Sequence, residues 1–168
     1  ALDLSDPSSV ERWLAANTVA AIVNAGAYTA VDKAESDAKT AWLVNAVAPA
    51  ILAAHARSAG VPIIHVSTDY VFGGDKSTPY VEDDPVAPLG VYGASKEGGE
   101  QAVRTSGARH AIVRTSWVVS PHGANFIKTM LRLGRERPAL RVVDDQRGAP
   151  TAAFDLARAA QTILMRLI

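Results

Sequence analysis

The chain has 168 residues, 48% of them hydrophobic, with seventeen basic residues, seventeen acidic residues and no cysteine. That is the length of one ordinary domain with apolar content enough for a core, and the charge balance, without a polybasic run, argues against nucleic acid or an anionic membrane as main partner. Disulfides and thiolate metal sites are excluded, no apolar run approaches the roughly 18 residues of a membrane span, and the first residues do not read as a signal peptide, so a cytoplasmic location is expected.

In chain order, ALDLSDPSSV opens on apolar residues without a starting Met, as if in the middle of a strand. DPSSVERWLAAN follows as a helix, with Asp6 or Ser5 as N-cap and Pro7 at its first position. TVAAIVNAGA (18–27) reads as a strand. VDKAESDAKTAWLVNAVAPAILAAHARSAG (31–60) reads as a long helix closed by Gly60, with Pro49 kinking it or starting a new helix. VPIIHVST (61–68) is a second strand, then comes a Pro- and Asp-rich loop over 72–90, and loops of that length inside compact domains are usually functional. VYGASKEGGEQAVRTSG (91–107) is helical, HAIVRTSWVV (110–119) a third strand, ANFIKTMLRLGRE (124–136) a helix, LRVVDD (140–145) a fourth strand, and 152–168 a last helix. The strand cores are nearly continuous rather than alternating, the mark of strands buried on both faces of a parallel sheet. Alternation of strand and helix predicts an α/β fold with a doubly wound parallel sheet and right-handed crossovers.

In such sheets ligands sit beyond the carboxyl ends of the strands, and three groups fall there. NAGAY (24–28) has small residues that let backbone approach a flat ligand, with Gly26 either in a turn conformation closed to other residues or merely turning the chain. STDYVFGG (67–74) carries Thr68, whose hydroxyl either meets a carbonyl oxygen or, with Ser67 and Asp69, only caps a turn. Tyr92 and Lys96, four apart, share a helix face with Cβ atoms about 5–6 Å apart. An ammonium beside a phenol favours the phenolate and lowers the tyrosine pKa, as a proton-transferring tyrosine needs. Trp117 follows in RTSWVVS, as core or as a ligand contact. His55, His65, His110 and His122 have no paired ligand spacing and predict no metal; EDD (82–84) and the arginines of 132–141 read as solvated surface.

Joined in order, NAGAYTAVDKAE, STDYVFGG, PLGVYGASKEGGE, RTSWV and VVDDQRGAPT resemble the dTDP-4-dehydrorhamnose reductase family, in the extended short-chain dehydrogenase/reductase superfamily, across nearly all of 18–157. Gly98–Gly99 and Tyr28 (where the family often has His) depart from its pattern. A first strand with a glycine-rich, pyrophosphate-holding turn is not found, so the resemblance implies an interior fragment: a partial, Rossmann-like nucleotide-binding domain over 1–168. The first strands with that loop and a C-terminal substrate lobe would be missing, and the fragment itself inactive.

The resemblance implies reduction of dTDP-4-dehydro-L-rhamnose to dTDP-L-rhamnose by hydride from NADPH or NADH, for nucleotide-sugar and cell-surface polysaccharide biosynthesis. It makes Tyr92 the general acid, Lys96 the group that lowers the Tyr92 pKa and holds the nicotinamide ribose, and Thr68 a hydrogen-bond donor to the same carbonyl oxygen. Ala27, Tyr28 and Thr29 would line the cofactor. Val31, Asp69, Trp117, Gln146, Arg147 and Pro150 would join Thr68 on the substrate side, with 72–90 and 144–152 as substrate-side loops. A homodimer is compatible with the family, as is Mg in its full-length members, for which these residues offer no identified ligand site. Two other readings share the pattern: a sugar-nucleotide epimerase or dehydratase, and a non-catalytic relative such as the regulatory subunit of methionine adenosyltransferase.

Overall fold

The structure, a computed structural model, describes residues 2–168. Helix α1 (Pro7–Ala16) starts where Asp6 accepts a hydrogen bond from the Ser8 amide, with Pro7 at the first position. Strand β1 is only Ile22–Asn24, and it leads through the loop 25–30 to α2 (Val31–Ala34) and α3 (Ala38–Trp42). A π-helical turn, Leu43–Val47, joins α3 to α4 (Ala48–Ala59). The helix read over 31–60 is therefore broken, and its interruption has a cause in Pro49. Proline has no N–H to give the carbonyl four residues earlier, that of Asn45, and the ladder widens there. Gly60 ends α4 in the left-handed conformation, φ 68°, where a side chain would be strained.

Strand β2 (Ile63–Thr68) lies between β1 and β3 (His110–Thr115), and all three are parallel, Asn24 opposite His65 and Thr68 opposite Thr115. Ile63 and Ile64 are both completely buried, as the continuous apolar run predicts for a strand covered on two faces. Helices α1 and α4, together with α5 (Val91–Thr105), cover one face through Val10, Leu14, Leu52, Ala53, Ala56 and Val103 around Ile63. Over the other lies α7 (Ala153–Leu167), against β2 and β3. Arg109 ties the lower ends of both layers together: its guanidinium donates to Gly60 O at the end of α4 and to Leu167 O and Ile168 O at the end of α7.

Two strand expectations are corrected. The run 110–119 is not one strand: it breaks at Trp117, whose φ of 45° turns the chain out of the sheet. Beyond it β4 (Val118–Val119) pairs in parallel with β5 (Thr151–Ala152), a strand too short to leave a sequence signal. Residues 140–145 form no strand; they are exposed except Leu140 and lie in a long connection after α6 (Phe126–Glu136). Without a partner to bury both faces, a β-branched run gains little from extended pairing.

Candidate active site

Helix α5 carries the site against the end of β2, and glycine lets it come close. A Cβ on Gly93 would overlap the carbonyl oxygen of Tyr70, in the 3-10 turn Asp69–Val71 that follows β2. A Cβ on Gly99 would overlap the Asn45 carbonyl oxygen, the group that Pro49 leaves without its helical donor. Gly98 is packed against the Trp42 ring, 2.7 Å from where its Cβ would be. The Gly98–Gly99 pair that departs from the family pattern is thus where α5 meets the π-turn. Gly26, by contrast, is not in the left-handed region; a Cβ there would meet Leu4.

Asn45 organises the loop after β1. Its Oδ1 accepts from the Tyr28 amide at 2.8 Å, and its Nδ2 donates to Tyr28 O at 3.1 Å and to Ser95 Oγ at 3.0 Å. Ser95 in turn donates to Tyr92 O at 2.8 Å. One completely buried amide thereby uses both its donors and its acceptor to hold the 24–28 loop to the turn of α5 that bears Tyr92.

The result is one cavity of about 760 Å³ at the carboxyl ends of β1, β2 and β3. Ala27, Thr29, Val31, Thr68, Asp69, Tyr92, Lys96 and Trp117 all line it. Tyr70 joins them and meets Tyr92 edge-to-face, the ring centroids 5.5 Å apart. Leu156, Ala157, Ala160 and Leu164 of α7 form the apolar wall opposite. Tyr28 does not line the cavity: its hydroxyl donates to Asp37 at 3.2 Å, and only its backbone serves the loop. Gln146, Arg147 and Pro150 are exposed and stay outside the lining. The 144–152 loop reaches the site by another residue, Gly148, which sits so close to the Trp117 indole that an added Cβ would lie 2.7 Å from it. Ser116 Oγ to Ala149 O (2.8 Å) and Thr151 N to Trp117 O (3.2 Å) hold it there. No residue of the 72–90 loop lines the cavity; that loop closes on itself through the Phe72–Tyr80 stack and the Lys76–Asp84 ion pair.

The electrostatics differ from the sequence expectation in one respect. Burial pushes the Tyr92 phenol up from its ordinary value, the nearby Thr68 hydroxyl counters it in part, and the charge of Asp69 adds to the rise. The Lys96 ammonium, only 2% exposed, donates to Val66 O at 2.7 Å, and its charge is not among the influences on the phenol. Burial also lowers Lys96 itself, to about 8, with Glu100 acting the other way. The Thr68 hydroxyl performs the turn-capping role, accepting from Tyr70 N at 3.2 Å, while its proton goes to Asp69 Oδ1 at 3.1 Å; it also faces the cavity. Burial raises the Asp69 carboxyl.

Behind the cavity lies a polar set of which the sequence reading met only His65, as a histidine without metal-ligand spacing, and Asn24, within NAGAY. Glu100, Arg114, Arg104, His65 and Asn24 are the members. Arg114 is a charge within an apolar strand, which needs a partner when buried, and Glu100 falls four residues beyond Lys96 on the same helix face. Asn45 was signalled only by a lone amide four residues ahead of Pro49.

The sequence matches the family described as RmlD substrate binding domain over residues 1–168. The chain belongs to the RmlD family. It is 51% identical over 147 residues to a dTDP-4-dehydrorhamnose reductase of Sinorhizobium fredii, covering 88% of this chain and 50% of that protein. Among solved structures, dTDP-4-dehydrorhamnose reductases of Clostridium acetobutylicum (39% identity) and of Bacillus anthracis in complex with NADP (38%) both superpose with a TM-score of 0.93. Each covers 99% of this chain and 59% of its own. The RmlD-family chain therefore spans about half the length of the curated relatives it matches. Among the described residues no helix is long and apolar enough to cross a membrane, and no group of three His, Cys, Asp or Glu side chains is placed to hold a metal ion.

Proposed function

We propose that this chain carries the catalytic residues of an NAD(P)H-dependent reductase that turns dTDP-4-dehydro-L-rhamnose into dTDP-L-rhamnose, within cytoplasmic nucleotide-sugar biosynthesis. The observation that carries this reading is the convergence of Thr68, Tyr92, Lys96, Asp69 and Trp117 on one cavity at the carboxyl edge of a parallel sheet. Residues 1–168 then make up a partial Rossmann-like nucleotide-binding domain, with 144–152, through Gly148 and Trp117, on the substrate side. The 72–90 loop flanks the same side without lining the cavity.

The residues present suit the nicotinamide and ribose end of a dinucleotide. Ala25, Ala27 and Thr29 leave the end of β1 open to a flat ring. Lys96 has three donors and spends one on Val66 O, so a ribose has ammonium donors within the cavity. A nicotinamide held there would supply the hydride to C4 of the sugar. The protein's task is the proton and the geometry. Burial keeps the Tyr92 phenol protonated at neutral pH, so it arrives as an acid and gives its proton to the C4 oxygen as that oxygen gains charge. Thr68 turns its hydroxyl from Asp69 to the same oxygen and stabilises the charge developing there. Lys96, still largely protonated with its pKa near 8, then faces the phenolate that Tyr92 has become. The raised phenol is the form wanted for reduction, which begins with proton donation.

The test is an assay of the longest natural polypeptide that carries these residues, with the 4-keto sugar nucleotide and NADPH or NADH, following loss of the reduced-cofactor absorbance. Consumption matched by dTDP-L-rhamnose supports the reading, and the faster dinucleotide identifies the preferred one. Retained oxidised dinucleotide without net consumption would instead indicate an epimerase or dehydratase. Folded protein that binds nucleotide without turnover would indicate a regulatory relative.

A further inference from the structure

We propose that Glu100 is a positioning residue for Lys96: an enclosed carboxylate one helical turn beyond the ammonium, its charge set by the two arginines that share it. This rests on the reading of Lys96 given above. Tyr92, Lys96 and Glu100 are spaced four apart on α5 and form one stripe along the face that packs on β2 and β3. Glu100 is fully buried and Lys96 is 2% exposed, so little water screens one from the other. Arg114 of β3 grips the carboxylate with two hydrogen bonds, Nε to Oε1 at 2.9 Å and Nη2 to Oε2 at 2.6 Å. Arg104 adds a third, Nη2 to Oε2 at 3.0 Å. Arg114 is itself fixed beneath the Phe72 ring, its guanidinium carbon 4.8 Å from the centroid.

An ion pair that only stapled α5 to β3 needs no particular register with the active-site helix face. This one is in register with Tyr92 and Lys96. Burial pushes the Glu100 carboxyl up, but Arg114 and Arg104, aided by Ser67, outweigh it and keep the group ionised. Its charge is the counterweight to the burial that draws the Lys96 proton off. Of the other titratable groups around Lys96, Glu97 follows it on α5, and its charge acts on Arg114. Tyr92 shares α5, and burial keeps it neutral. His65 on β2, pushed down to about 3 by burial and by Lys96, is also neutral at pH 7. Asp69 lies in the turn after β2 and lines the cavity. Glu35, after α2, reaches only the start of α5, where it accepts from Val91 N. The α7 wall presents Ala153, Leu156, Ala157, Ala160, Gln161 and Leu164, none of which titrates. Glu100 is therefore the anion on the inner side that keeps Lys96 charged.

The sign of the effect separates this from a structural staple. The titration of Lys96 in the 13Cε-lysine-labelled chain is followed by NMR, with its signal assigned by Lys96→Arg. Glu100→Gln removes the anion and should lower the Lys96 pKa by about one unit. Arg104→Gln leaves the carboxylate ionised in the two hydrogen bonds from Arg114 and removes one compensating cation, so it should raise it. Thermal melts report folding in parallel. Opposite shifts establish the assignment; equal shifts in one direction, or none, overturn it. If Glu100→Gln fails to fold, Arg104→Gln decides, since Arg104 is partly exposed: a rise supports the proposal and an unchanged titration refutes it. The reading of the chain as a reductase fails separately, through the activity assay, whatever Lys96 does here.

Discussion

Replacing Asn45 by alanine tests how the site is held together. The substitution deletes hydrogen bonds to Tyr28 N, Tyr28 O and Ser95 Oγ. At about 1 kcal/mol of net stabilisation each, the loss is about 3 kcal/mol. Ser95 keeps its bond to Tyr92 O, so its hydroxyl is not orphaned. The Tyr28 amide and carbonyl, in a half-buried stretch of loop, have no replacement partner within the protein and raise the cost if water cannot reach them. Urea denaturation followed by far-UV circular dichroism measures it. With a slope of about 2 kcal/mol per molar urea, the midpoint should fall by about 1.5 M at unchanged slope. Ser95→Ala should cost less, because the two Tyr28 bonds remain. The double variant should cost less than the sum of the singles, since both remove the Asn45–Ser95 bond. A midpoint shift below about 0.5 M for Asn45→Ala, or strict additivity with Ser95→Ala, would show that this amide does not brace the loop against α5.

Tyr92→Phe in the active polypeptide should cut turnover by about 10²–10⁴-fold while dinucleotide binding changes little; an unaltered rate sinks the proton-donor role. Gly99→Ala forces a methyl into the Asn45 carbonyl, a backbone atom that cannot step aside, and should lower the melting temperature by the equivalent of about 1–3 kcal/mol; an unchanged melt would mean that α5 and the π-turn separate at no cost. Stability should also fall with acid through His65, whose folded pKa, about 3, lies below its ordinary 6.5. The unfolded chain then binds the extra proton first, so this contribution is intact above pH 6.5 and is lost progressively between 6.5 and 3. By pH 5 it amounts to about 2 kcal/mol, which a urea series on the protein and on His65→Gln at pH 7 and pH 5 would resolve. Equal acid sensitivity in both would remove His65 from the account.

Sequence pattern carried the parallel sheet because Ile63, Ile64 and their neighbours form continuous apolar runs, and a strand covered on both faces allows nothing else. The same rule misled at 140–145, where β-branched residues lie in an exposed connection; composition says what a strand tolerates, not whether a partner is there. Tyr92, Lys96 and Thr68 were legible because regular spacing on a helix and position at a strand end translate directly into neighbourhood. Glu100 was legible by the same helical step and was passed over because a glutamate in a helix usually faces water. Asn45 lay beyond local reasoning: its three partners come from positions 17 and 50 residues away, and such pairings depend on how the helix and loop pack. The direction of the Tyr92 shift failed for a related reason. Helical spacing placed an ammonium nearby, but burial dominates the phenol and raises it, and spacing along one helix says nothing of how deeply its neighbours bury it.

Trp117 separates two mechanical tasks. Its left-handed backbone sends the chain from the sheet that holds Thr68 into a ladder only two residues wide. Between the two strands of that ladder runs 120–150, and its single helix, α6, buries none of its side chains. Such a segment can be lengthened, shortened or rewritten without disturbing β2, the π-turn or the glycine contacts of α5. The surroundings of the indole can therefore be remodelled there while the Tyr92 and Lys96 face of α5 is left untouched.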